Sequence, residues 1–600
     1  MLLLLLLLHL ATASSPSCPL GEITGTIDNL LYHPRFHLMP PTRTHRPTGM
    51  NDINAMFYHD DLYHVTYQDH LNCPDDLNQM NQTFGHVVSR DLIHWKHLPP
   101  ALVDNITFDG KLGPWDGPGF ICNGKPMIIY ASHFDGEGFN NQTKTAAFPF
   151  LTTIDPLLTR WIRSPLEPEN AFQGPGTILP PWKDKTDAAG GSSAYYTAVE
   201  DMSSGDCQLW RTTDERCLKW EIVSSNFTFC TRANPEMWKT PRLVDGQRQQ
   251  NVSQNVSQNF SMVAKQTVSW QESMGDSYIF GKLNGVGKDQ VFVPSTNSLP
   301  GGQKGFNGKE KPGNVPIYYD DMYHFEGIKR NTFEDGRGSW SSSLYDPVGD
   351  RRIQLAWVPP GVTPAYAKPI EGFLPLFHTT TLLRDIRFDN QLKRLTSFPL
   401  EEYAQLREKL LADIAGKVLI ADGGKENKSN QERRRDFHLG SGRQLDILVE
   451  FALWFPINDY STTAGVSLLR NANGSSRVDV SLRRLDNGES GSAEEWMSLS
   501  IDTGFVGPSP PGHNNTYPST TVHFPLVPLA DNGTVRLRVV FDRSIVEVFA
   551  QGGRAAATAT PFAPAENSAF SLFVDGNTNA SVEIVNAKAW SMGCGWELEI

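Results

Sequence analysis

Seven cysteines in 600 residues are too few for a disulfide-held scaffold, and the odd number leaves at least one outside any intrachain bridge. Basic residues are in the minority, 53 Lys and Arg against 66 Asp and Glu. The chain therefore lacks the cationic surface that a phosphate backbone requires, and nucleic acid is not an expected partner. Beyond the first thirteen residues no run is long and apolar enough to span a bilayer, so no membrane span is expected. The patterns GxSxG, HExxH and the phosphate-cradling glycine loop are all missing, which removes the usual signatures of serine hydrolases, zinc peptidases and nucleotide-binding P-loops. His59, Asp60, Asp61, His64, Asp69 and His70 crowd together in sequence. On alternating strands they split between two faces, so no metal site and no cofactor are expected.

What the chain does have begins with MLLLLLLLHLATA, residues 1–13, a short apolar run ending in an A-x-A cleavage signal. It reads as a signal peptide, and with the many N-x-S/T sequons, among them Asn81, Asn141, Asn226 and Asn473, it points to a glycosylated protein that is secreted or held in the secretory lumen. Cys207, Cys217 and Cys230 lie close enough in sequence for one bridge among them. From about 25 to 385, short runs rich in Tyr, Phe, Val, Ile and Trp are separated by Gly, Pro, Asn and Asp, the signature of an all-β domain.

Near Pro399 the pattern changes. Leu400, Tyr403, Leu406 and Leu410 recur at spacings of three and four, which predicts a short amphipathic helix in a linker over 386–424. From 425 to 600 alternation returns: VRLRVVFD and SIVEVFAQGG flank Asp542-Arg543-Ser544 as the arms of an antiparallel hairpin in a sandwich. Two polar stretches, around 248–261 and over 486–518, read as surface loops without core content.

The most informative segment is Gly49-Met50-Asn51-Asp52-Ile53-Asn54-Ala55, a carboxylate within an Asn-rich turn between strand-like runs. The text GMNDINAMFYHDDLYHVTYQDH, then TFGHVVSRDLIHWKHLPPAL, resembles the opening of glycoside hydrolase family 32, the invertases, fructan hydrolases and fructosyltransferases. FEDGRGSWSSSLYDPVGDRRIQLAW matches a further family segment without gaps, and FDRSIVEVFAQGGR and SVEIVNAKAWSM resemble its C-terminal module. The resemblance implies a five-bladed β-propeller over 25–385, with carboxylates aimed into a central funnel, and a C-terminal β-sandwich. It implies retaining hydrolysis of β-fructofuranosyl bonds in sucrose or fructans, with a carbohydrate as partner. Oligomeric state is left open.

Residue by residue, the resemblance places Asp52 at the catalytic nucleophile. Asn51, Gln68, Phe84 and Trp115 fall on substrate-binding positions, through the elements MND, YQ, FGH and WDG. Two other catalytic elements differ from the family. Where FRDP is usual the chain reads Phe172-Gln173-Gly174-Pro175, so Gln173 replaces an Arg of the binding site and Gly174 the transition-state carboxylate. Where MWECPD is usual it reads Met237-Trp238-Lys239-Thr240-Pro241-Arg242, so Lys239 stands at the acid/base position. Glu236 lies three residues away, on the opposite face of a strand. A general acid contributes roughly 10² to 10⁴ in rate, so these departures disfavour efficient sucrose hydrolysis. The alternative reading is a non-catalytic carbohydrate-binding or regulatory protein on the same scaffold. Lys239 is expected to approach Asp52, since opposite charges now occupy two facing catalytic positions.

Overall fold

β-branched and aromatic residues alternating with polar ones, punctuated by Gly, Asn and Asp, favour short antiparallel strands, and the structure is built almost wholly of them. In this computed structural model the described residues are 33–41, 48–72, 80–103, 105–109, 113–133, 142–150, 152–167, 172, 178, 180–184, 194–201, 206–229, 236–239, 262–268, 275–284, 291–294, 303–304, 316–319, 341–358, 379–389, 394–421, 434–454, 460–485, 496–504, 506, 520–525, 534–561, 563–576 and 581–596.

Five antiparallel sheets follow one another as the blades of a propeller. Blade I contains β1 (Thr48–His59), β2 (Leu62–Asn72), β3 (Met80–Ser89) and β4 (Lys96–Leu102). Blade II contains β5 (Gly119–Cys122), β6 (Lys125–His133), β7 (Gln142–Pro149) and β8 (Trp161–Pro165). Blade III runs from Trp182–Asp184 to Glu221–Phe229, blade IV from Glu236–Lys239 to Pro316–Tyr319, and blade V from Ser341–Asp346 to Arg394–Pro399. Strand β1 packs against the first strands of blades II and V, which places it beside the propeller axis.

Two of the seams between blades each have their own apolar filling. Ala55, Phe57 and Phe84 meet Ile128, Tyr130 and Ala147 between blades I and II. Phe120, Ile129 and Ala146 meet Phe172, Tyr195 and Trp210 between II and III. A disulfide reinforces the second seam. Cys217 pairs with Cys122, 95 residues away, rather than with Cys207 or Cys230. The turn carrying Cys217 folds against the neighbouring blade, and sequence proximity does not anticipate such a partner. Closing so long a loop stabilises by about 2–5 kcal/mol.

Two six-stranded sheets form the C-terminal sandwich. Its core is the largest apolar cluster, with Ile447, Phe451, Val466, Val480, Leu537 and Leu572 at or below 2% exposure. The hairpin around Asp542 forms as expected: Thr534–Asp542 pairs with Ile545–Ala550, and Arg543 takes the left-handed conformation (φ 58°) of a two-residue turn. Four expectations are corrected. The propeller does not stop at 385, since Arg384–Asp389 pairs with Arg394–Pro399 in blade V. The helix in the linker is confined to a 3-10 segment, Glu401–Leu406, that buries Tyr403 and Leu406. From Arg407 the chain is a strand to Ile420, paired with Ser581–Met592, so sandwich pairing begins well before 425. The run LREKLLADI fits both periods, and pairing with a strand already rich in apolar residues decides for the sheet. Likewise 486–518 contributes core, since Trp496–Asp502 is a strand with Met497, Leu499 and Ile501 fully buried. The stretch 248–261 lies outside the described residues.

Propeller and sandwich meet over two carboxylates of that hairpin. Asp542 accepts the amides of Arg35 (2.8 Å), Phe36 (2.9 Å) and His37 (3.2 Å), and the His37 ring at Nδ1 (2.9 Å). Glu547 accepts the Leu382 amide, His37 Nε2 (3.1 Å) and Arg384 Nε (3.1 Å), and pairs with Arg384 Nη2. Arg384 and Glu547 are both fully buried. Burial opposes charge on His37, but its two carboxylate partners outweigh this and raise its pKa above the usual imidazole value. A raised pKa contributes stability that is complete below about pH 6.5 and is lost as pH rises through the folded value.

Removing one partner of so buried a set strands the others. Glu547→Ala should therefore lower unfolding free energy by about 3–5 kcal/mol in urea titrations. Glu167→Ala, whose pairing with Lys219 is more than half exposed on both sides, should lower it by less than ~1 kcal/mol.

Candidate active site

Asn and Asp are poor strand residues, and β1 accommodates three of them by bulging twice. Met50 pairs with Asp69, Ile53 with Tyr67 and Met56 with Val65, so β1 advances three residues for every two of β2. Asn51 and Asp52 together oppose Gln68, and Asn54 and Ala55 together oppose Thr66. The Thr66 hydroxyl accepts the Ala55 amide at 2.9 Å, supplying a partner that the broken ladder withholds. From blade V, the Ser342 hydroxyl donates to the Ile53 carbonyl at 2.7 Å. Asp52 is thus held in the first of the two bulges at 7% exposure, and Asn54 in the second at 5%.

A matching irregularity precedes β5. The Trp115 amide donates to the Ala131 carbonyl (2.8 Å), and the Ala131 amide donates to the Asp116 carbonyl (2.9 Å), so two residues again oppose one. Asp116 is aimed at blade I, where Gln68 Nε2 donates to its carboxylate. The blades approach closely here: a Cβ on Gly119 would lie 2.7 Å from that of Ala55. Lys144 of β7 stands opposite the same Ala131 and is only 5% exposed. Burial lowers its pKa to about 8, against the pull of the Asp116 charge.

Behind Gln68 the seam contains a pair of histidines. His64 Nδ1 and His86 Nε2 are 3.0 Å apart, and Phe57 stacks on the His64 ring. Burial, with the neighbouring His86 adding to it for His64, lowers their pKa values to about 2 for His64 and about 3 for His86, so both are neutral. Gly85 lets the Tyr67 ring lie flat over β3, since a Cβ there would fall 2.4 Å from that ring.

The structure thus brings Asn51, Asp52 and Gln68 together, with Trp115 on the adjoining bulge. Phe84 is fully buried, edge-on to Tyr130, and backs Gln68 from within the seam. Gln173 and Gly174 lie outside the described residues. Phe172 just before them is buried against Trp210 (4.7 Å) and Trp220 (5.4 Å). Lys239 ends the first strand of blade IV, opposite Met262, but its side chain lies outside the described residues, as does its expected approach to Asp52. Asp116 and Lys144 were not anticipated. Their signals were an acid after Trp115 and a lysine just ahead of the small, apolar run TAAFP. Among the described residues no cluster of three His, Cys, Asp or Glu could hold a metal ion, and no helix is long and apolar enough to cross a membrane.

Residues 37–399 match the N-terminal domain of the glycosyl hydrolases family 32, and 416–591 match that family's C-terminal domain. The chain belongs to glycoside hydrolase family 32. It is 25% identical to a β-fructofuranosidase, insoluble isoenzyme 2, of Oryza sativa subsp. indica, over 93% of this chain and 89% of that protein. It is 24% identical to a fructan 6-exohydrolase of Triticum aestivum, over 98% and 96% respectively. The crystal structure of fructan 1-exohydrolase IIa from Cichorium intybus superposes with a TM-score of 0.67 at 20% identity, over 94% of this chain and 98% of that one, and so shares the fold.

The histidine pair gives a pH prediction. Its folded pKa values lie below the ordinary 6.5, so the unfolded chain binds more protons once pH falls beneath that value, and stability falls with it. Each histidine should remove ~1.4 kcal/mol per pH unit between pH 6 and 5. His37 is charged in both states there and contributes no slope. The double variant His64→Phe, His86→Leu should reduce the slope in urea titrations at those pH values by roughly 2–3 kcal/mol per pH unit, leaving the part due to buried His33, whose pKa is likewise lowered, to about 4. An unchanged slope would mean that the pair is already protonated in the fold.

Proposed function

We propose that this protein binds β-fructofuranosyl sugars in its propeller funnel, with Asp52 at the nucleophile position, and hydrolyses them weakly because Lys239 stands at the acid/base position. The observation that carries the reading is Asp52 itself, buried in the first of two bulges of the axial strand and opposite Gln68. Bulges of this kind re-aim side chains at functional sites, and a merely structural Asp needs neither. Family membership and plant relatives named for fructosyl hydrolysis support the substrate class.

Retaining hydrolysis needs one carboxylate to attack the anomeric carbon and one carboxylic acid to protonate the leaving oxygen. An ammonium at the second position releases a proton reluctantly beside Asp52, and it opposes the positive charge that develops on the sugar ring. With Gly174 in place of the third carboxylate, the transition state loses a further charge. A leaving group that departs as a stable anion needs no proton, so only the attack by Asp52 would limit its release. The leader at 1–13 and the Cys122–Cys217 disulfide support an oxidising, secretory setting.

Purified protein should release phenol from an activated aryl β-fructofuranoside, whereas fructose release from sucrose and inulin should run roughly 10² to 10⁴ below ordinary enzyme rates. Asp52→Asn should abolish both. Sucrose turnover at ordinary rates would refute the assignment of Lys239, and binding without any release would leave a non-catalytic carbohydrate receptor.

A further inference from the structure

The two bulges of β1 break its ladder with β2 where Asp52 and Asn54 sit, so backbone groups of residues 51–55 need partners that regular pairing does not supply. Two of those partners are side-chain hydroxyls. Thr66, fully buried on β2, accepts the Ala55 amide at 2.9 Å and donates back to the Ala55 carbonyl at 3.3 Å. Ser342, on the first strand of blade V (Ser341–Asp346), donates to the Ile53 carbonyl at 2.7 Å. That carbonyl belongs to the residue directly after Asp52. On the blade II side Ala55 lies so close to Gly119 that a Cβ there would come within 2.7 Å of its own. The segment carrying Asp52 is therefore gripped from three blades.

What the grip prevents is a change of register. Pairing carried on without bulges from Met50–Asp69 would set Asp52 opposite Tyr67, which is 1% exposed in an apolar cluster shared with blade V. Carried back from Met56–Val65, it would set Asp52 opposite Asp69. Directly opposed residues share a face, so the first register turns a carboxylate into apolar core and the second sets two acids against each other. A regular ladder would also recover backbone hydrogen bonds, so the bulges need bonds of their own to persist. We propose that Thr66 and Ser342 are positioning residues that hold β1 in its doubly bulged register and so set the reach of Asp52 into the funnel. The proposal rests on the fructoside reading given above, with Asp52 as the attacking group. Each hydroxyl is engaged with backbone and carries no charge, so its removal alters where the carboxylate stands and leaves its charge alone.

The step concerned is the attack itself. A carboxylate oxygen of Asp52 bonds to the anomeric carbon while the bond to the leaving oxygen breaks, and that oxygen departs with the electron pair. Attack needs the reacting atoms aligned at about 3–3.5 Å, and a misplacement of roughly 1 Å can cost about 10²-fold. The test is the kinetics of the full chain with an activated aryl β-fructofuranoside, joined to intact-mass detection of fructosyl groups held covalently on the protein. Thr66→Val, which removes the hydroxyl and keeps the shape, and Ser342→Ala should each lower kcat about 10- to 100-fold with KM within about twofold. Covalent labelling should slow to the same degree. Because both hydroxyls hold one register, the double variant should lose little more than either single one. Thr66→Ser and Ser342→Thr, which keep a hydroxyl, should recover most of the rate. Circular dichroism and thermal midpoints will report that each variant is folded at the assay temperature.

A wild-type protein that neither releases phenol nor is labelled overturns the fructoside reading, and the proposal with it. Wild-type turnover that Thr66→Val and Ser342→Ala leave within about twofold overturns the proposal alone. So does a loss that Thr66→Ser and Ser342→Thr fail to recover, or one that appears in KM while kcat is kept. If Thr66→Val does not fold, Ser342→Ala at its less buried position decides by the same split between kcat and KM.

Discussion

The two carboxylates of one sandwich hairpin, Asp542 and Glu547, are the constraint on which the molecule's geometry depends. They are buried where sandwich, blade V and the segment ahead of blade I converge, and both are satisfied by the propeller. Burial pushes Glu547 toward neutrality, but Arg384 and His37 overcome it and hold its pKa below the usual carboxylate value. An ion set this deep adds little net stability over an apolar substitute, yet it tolerates few alternative dockings, because any shift would leave a charge unpaired in the interior. Blade V docks against β1 at Ser342 and Ile53, so the placement of Asp52 descends, through blade V, from a hairpin in another domain.

Much of this architecture could be read from residues. The alternation in VRLRVVFD and SIVEVFAQGG, broken by a turn that requires a left-handed residue, has one simple solution, and Arg543 adopts it. The Asn-rich stretch around Asp52 reads as a turn in sequence but is a doubly bulged strand, and the assignment of Asp52 to the nucleophile position came from the resemblance alone. The linker was misread for a physical reason: Leu400, Tyr403, Leu406 and Leu410 fit a helical period, but only six residues coil, and the remainder is claimed by an unpaired strand edge. The Cys122–Cys217 bridge, Asp116 and Lys144 were not legible. The bridge and Asp116 owe their meaning to a partner across a seam, and Lys144 to a charge more than twenty residues back in its own blade; local pattern carries no record of either.

The seam between blades I and II combines aromatic and aliphatic packing with a file of hydrogen-bonding groups, His64, His86, Thr66 and Gln68. Polar groups at that depth give each bulge a single preferred geometry, since a displaced donor would be left without a partner. Apolar packing sets how closely the blades approach, and the polar file sets where the carboxylates point.

The segment around Gly595 has a consequence for biosynthesis. The Gly595 amide donates to the Arg35 carbonyl at 2.9 Å and its carbonyl accepts the Trp95 amide at 2.8 Å, while the Trp596 ring stacks on His97. Blade I is the first blade to leave the ribosome, yet part of its outer surface is completed by residues translated some five hundred codons later. Domains usually acquire structure in the order they are made. Here the earliest blade must wait, partly unsealed, through most of translation, and the nascent chain spends that interval dependent on whatever shields its apolar edges.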